Sequence, residues 1–135
     1  MQSKQVLTLE EVRKIAAAAE AEALANNWAV TISVVDDGGN LLWLQRLDGA
    51  APISAHIAPS KARTAALGRR ETKVYEDMIN NGRFSFITAP NLEGMLEGGI
   101  PITVGGQCVG AVGVSGVKSS EDVQIAKAGI AALKI

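Results

Sequence analysis

The chain has 135 residues, 47% hydrophobic and 20% charged, which suits one domain with a sizeable buried core. Its 13 basic and 14 acidic residues leave a net charge of −1, and aromatics make up only 4%. That balance excludes the basic footprint of a nucleic-acid binder and the stacking platforms that bases need.

Cys108 is the only cysteine, so an internal disulfide and a multi-thiolate zinc site are both ruled out. "MQSKQVLTLEEV" lacks the apolar core of a signal peptide, and no stretch approaches transmembrane length; a cytoplasmic location without membrane contact is expected. The apolar residues are mostly Ala, Val, Ile and Leu, accompanied by 14 Gly. Small side chains bury little area each, and burying flat faces between subunits recovers it, so a homo-oligomer is expected.

The first helix is announced by Thr8 as N-cap with Glu11 three residues on, a capping box, and by Leu7 and Val12 as a hydrophobic staple. Leu9, Val12, Ala16, Ala19 and Ala23 recur at helical spacing until Asn26-Asn27. Two apolar runs then flank "DDGGN", which predicts a hairpin. Val30, Ile32 and Val34 share one face of its first strand, and Leu42, Leu44 and Arg46 share one face of its second. The segment from 52 to 82 reads as broken helix. Pro59 is placed in the first turn of a helix through "SKARTAALGRR". Thr72 is a candidate cap for "KVYEDMINN", with Gly82 ending that helix.

Residues 83–99 read as an irregular loop holding a helical turn. A second hairpin follows, "IPITV" and "QCVGAVGVSG" around Gly105-Gly106. "SSED" caps a last helix with Val123, Ala126, Ile130 and Leu133 inward. The order helix, hairpin, helices, hairpin, helix predicts a single α+β domain over 1–135. Its expected form is an antiparallel sheet of two hairpins flanked by helices, a profilin-like layered layout.

"GGQCVGAVGVSG" tempts three functional readings, and each fails on residue identity. Gly105 and Gly110 have Walker A spacing, but Ala111 and Val112 stand where Lys and Ser/Thr are required. The dinucleotide fingerprint is absent, and Val117 replaces the last glycine of a nucleophile elbow. What remains is a strand in which Gly110 and Gly113 admit a close neighbour, either a helix or subunit or a flat ligand.

Taken together, "VVDDGGNLLWLQRLDGA", "SKARTAA", "EGGIPI" and "GQCVGAVGVSG" resemble the GlcG/HbpS family and are similar to the C-terminal domain of the adenosyltransferase PduO. The resemblance spans nearly the whole chain. It implies an antiparallel sheet with flanking helices, a homo-oligomer, and heme as cofactor, sequestered or handed over. Other members sit beside glycolate, diol or aromatic catabolism, so an accessory protein or enzyme acting on a small carboxylate is the alternative. By resemblance Thr64, in "KARTA", is a candidate weak partner of heme iron.

The residues themselves leave each role open. His56, the only histidine, is either a metal ligand or an ordinary surface residue. Arg46, Lys61 and Arg63 either clamp the carboxylates of an anionic or planar ligand or form ion pairs with Asp48 or Glu71. Thr64 either meets a ligand or bonds back to a carbonyl one turn earlier. Gly98 and Gly99 form either a backbone anion nest or a plain loop. Cys108 reads as a structural thiol, Trp28 and Trp43 as packing residues, and Asp36 and Asp37 as turn formers.

Overall fold

In the computed structural model, which describes residues 1–135, the two hairpins join edge to edge. Strands β1 (Thr31–Asp36) and β2 (Leu41–Arg46) form one, and β3 (Gly99–Val104) and β4 (Gln107–Ser115) the other. Pairing of β1 with β4 gives an all-antiparallel sheet in the order β2-β1-β4-β3. Asp36 makes the first turn, as its side chain accepts from Gly38 N and Asn40 N, both at 2.9 Å.

Strand alternation sends Ile32, Val34, Val112 and Val114 to one side. There they meet α1 (Leu9–Ala25) and α4 (Ser119–Ala131) through Val12, Ile15, Ala19, Ile125 and Ala126. The Thr8–Glu11 capping box starts α1 as expected, while Leu9 faces solvent because α4 covers only the stripe running from Val12 to Ala23. In α4 the N-cap is Lys118, one residue before "SSED", and Glu121 accepts from its N–H at 3.2 Å. Ile125, Ala126 and Gly129 are the fully packed positions of α4, and Val123, Ile130 and Leu133 are half-buried beside them.

Helix α2 (Ser54–Gly68) covers the other side of the sheet. It begins earlier than the sequence pattern predicts, so Pro59 sits as its sixth residue rather than in its first turn. The hydrogen bond lost there would have ended on Ala55, which is only half-buried and open to water. Close approach comes from the sheet itself. Gly113 pairs with Ser33 on one side and Gly99 on the other, laying a row of tiny residues beneath the helix. A Cβ on Gly113 would lie 2.1 Å from Ala58 O, so only glycine admits α2 at this depth. That settles the glycine-rich strand in favour of helix packing.

Helix α3 (Thr72–Asn80) follows and ends as expected, with Gly82 at φ +106°. Thr72 is not its cap. Its Oγ1 instead accepts from Gly99 N at 2.8 Å, tying α3 to the start of β3. A single 3₁₀ turn, Phe84–Thr88, precedes the loop that leads to β3.

Candidate functional site

Helix α2 runs alongside β1. Thr31 Oγ1 and Ser54 Oγ are 2.7 Å apart at one end, and Val35 packs on Ala62, Ala65 and Ala66 at the other. Strand β2 is the free edge beside them, antiparallel to β1, with Arg46 opposite Thr31, Leu44 opposite Ser33 and Leu41 opposite Val35. A groove lies between the outer face of α2 and the first hairpin, lined by Ser60 and Arg63 on the helix and by Leu41 on β2. His56, four residues before Ser60 on α2, and Leu44 and Arg46 further along β2 are exposed outside it.

Arg46 lies opposite Thr31 on β2, while Arg63 reaches the hairpin turn, where its Cγ is 3.0 Å from the position of a Gly39 Cβ. Arg46 is exposed and joins no ion pair, neither with Asp48 nor with any other acid. Arg63 is also unpaired, and it borders a cleft of about 540 Å³. Gly39, Asn40, Ser60, Asn91 and Glu93 line that cleft with it, and Val35, Leu41 and Pro59 give its few apolar atoms.

Lys61 points the other way. It is 3% exposed, and its Nζ donates to Asp122 Oδ2 at 3.2 Å and to Val114 O at 3.0 Å. Burial pushes the Asp122 carboxyl up to about 6, against the pull of Lys61. The pair joins α2 to α4 behind the sheet edge, so Lys61 is a structural cation in this fold rather than part of a ligand clamp.

Gly98 and Gly99 serve the same junction. A Cβ on Gly98 would sit 2.6 Å from Lys61 Nζ, and one on Gly99 would sit 2.4 Å from Lys61 O. Both glycines are buried, and the Gly99 amide is taken by Thr72. They make no open anion nest. Thr64 is buried as well, and its Oγ1 accepts from Gly94 N at 3.0 Å instead of bonding back along the helix. To meet an iron, that hydroxyl would have to release the Gly94 loop.

Of the residues singled out in the sequence, Arg63 borders the cleft, His56 and Arg46 are exposed outside it, and Lys61, Thr64, Gly98 and Gly99 are buried. Sequence reasoning missed Asn40, Ser60, Asn91 and Glu93. Ser60 was legible, since it lies four residues after His56 and three before Arg63 on α2; Asn40 reaches the cleft from the hairpin turn, and Asn91 and Glu93 from the 89–98 loop. Elsewhere, Cys108 is half-buried with Sγ 3.3 Å from Gly110 O, and Trp28 and Trp43 pack against the main core. Asp37, beyond its place in the turn, pairs with Lys4 at 2.6 Å, which holds its carboxyl below the usual range. No three His, Cys, Asp or Glu side chains gather as a metal site, and no helix is long and apolar enough to cross a membrane.

The family described as "Haem degrading protein HbpS-like" matches residues 7–131. The chain belongs to this HbpS-like family. It is 58% identical over 115 residues to Protein GlcG of Escherichia coli K12, covering 85% of each chain. Its fold is similar to a crystal structure of a double mutant of Streptomyces reticuli HbpS, with TM-score 0.88 and 34% identity over 98% of this chain and 90% of that one. It is also similar to PduOC in a crystal structure of its heme complex, with TM-score 0.86 and 27% identity over 95% of both chains. The α+β architecture of this HbpS-like chain thus matches solved relatives along almost its full length.

Proposed function

We propose that this HbpS-like protein binds heme, to sequester it or hand it over. The observation that carries the reading is the full-length likeness to PduOC, whose structure is a heme complex, combined with the exposed groove beside α2. The donor set accommodates the group there. His56 supplies the chain's one imidazole on the exposed face of α2, and an imidazole is a far better iron ligand than a threonine hydroxyl. Heme would bring redox and oxygen chemistry to this face.

The protein's own residues would do the rest. Leu41 and Leu44 offer apolar contact along the strand wall, and Arg63 or Arg46 pairs a propionate. Because Leu41, Leu42 and Leu44 remain exposed on a free sheet edge, a second copy of the chain is the natural cover for the outer side of the guest. A homo-oligomer with the ligand held near that edge is part of this reading.

Hemin titration followed by the Soret band tests it. The expected result is saturable binding that weakens about tenfold in His56→Ala and by a smaller factor in Arg63→Gln. Linear, unsaturated spectra with the native protein would remove heme from the account.

A further inference from the structure

The end of the groove around Arg63 is chemically unlike its middle. We infer that the cleft between the first hairpin turn, α2 and the 89–98 loop is a binding site for a small zwitterion, a guest carrying both a carboxylate and an ammonium. This goes beyond the heme reading and does not depend on it.

The cleft holds one cation, Arg63, and one anion, Glu93, and neither belongs to any ion pair in the protein. Two opposite charges on one small cavity normally close on each other. Here both stay unpaired, each carried on an anchored stretch of backbone. Arg63 projects from α2, and a Cβ on Gly39 would lie 3.0 Å from its Cγ, so the glycine turn receives the side-chain stem. Glu93 immediately precedes Gly94, whose amide bonds Thr64 Oγ1 at 3.0 Å. A Cβ on Gly94 would come within 2.3 Å of the Ser60 carbonyl carbon, so the loop is pressed onto the helix at this point. Both charges are thus presented on fixed backbone and remain available to a guest.

The remaining lining is rich in acceptors. Asn40 gives its side-chain N–H groups to Asp36, at 3.1 and 3.2 Å, which leaves its amide oxygen for a guest. Ser60 donates its hydroxyl proton to His56 O at 3.0 Å, leaving its oxygen lone pairs. A bare carboxylate would be repelled by Glu93, and a bare amine by Arg63. A zwitterion satisfies both charges at once, and a carboxamide on its body would donate to Asn40 and Ser60. The cavity volume of about 540 Å³ lies in the range of small-molecule sites.

Calorimetry on the full, heme-free chain tests this with L-glutamine and its two halves, glutaramate (no ammonium) and 4-aminobutanamide (no carboxylate). L-Glutamine is expected to bind saturably, with each half about tenfold weaker or worse. Arg63→Gln should lose glutamine by a similar factor. Glu93→Gln should reverse the preference, so that glutaramate overtakes glutamine. Both side chains are exposed, and circular dichroism checks that the variants fold. His56→Ala, outside the cleft, should leave glutamine binding intact while weakening hemin, which separates this inference from the heme reading. Absence of glutamine binding, glutaramate binding the native protein as well as glutamine, or an unaffected Arg63→Gln variant would each overturn it.

Discussion

The two faces of helix α2 differ more than any other pair of surfaces in this protein. Inward, the alanines meet a sheet row of Ser33, Gly113 and Gly99, Lys61 is held by Asp122 and the Val114 carbonyl, and Thr64 lies under the Gly94 loop. Outward, His56 and Arg63 have water and a groove before them, without an ion pair between them. Within "KARTA", Lys61, Ala62, Thr64 and Ala65 are covered by neighbouring elements and Arg63 alone is exposed, so most of the motif that invites a functional reading is scaffold.

Removing an inward partner should cost most. Asp122→Ala leaves the Lys61 ammonium buried with only the Val114 carbonyl, and is expected to destabilise the fold by about 3–5 kcal/mol in urea unfolding. Gly113→Ala sets a methyl against the Ala58 carbonyl of α2, with an expected loss of about 3 kcal/mol by the same measurement. Thr64→Val orphans the buried Gly94 amide and should cost about 1–3 kcal/mol, while loosening the loop that carries Glu93. Arg63→Gln and His56→Ala, on the outward side, should stay within about 0.5 kcal/mol of the native protein. Equal losses from inward and outward substitutions would erase the distinction.

The parts of the fold legible in the sequence are those set by neighbours a few residues apart. The Thr8–Glu11 box, the Asp36 turn and the Gly82 helix end each rest on local hydrogen bonding or backbone freedom, and all are present. Phase errors arose where a distant element decides coverage: Leu9 has the right spacing, but α4 does not reach it. Pro59 shows the same limit, because packing of Ala58 and Ala62 on Gly113 holds the helix through a residue that would interrupt it locally. The site was half legible. Arg46 stood out on an otherwise apolar strand face, His56 as the lone histidine and Arg63 within "KARTA", whereas the Lys61–Asp122 pair joins residues 61 positions apart and leaves no local trace. Asn91 and Glu93 come from a loop whose only sequence mark is irregularity, and nothing in their spacing points to the cleft.

A hemin titration comparing His56→Ala with Thr64→Val tests the division of α2 most directly. If the outward face binds and the inward face only supports, His56→Ala weakens hemin about tenfold and Thr64→Val, once shown to be folded, binds like the native protein. The reverse pattern, with binding lost in Thr64→Val and retained in His56→Ala, would contradict it.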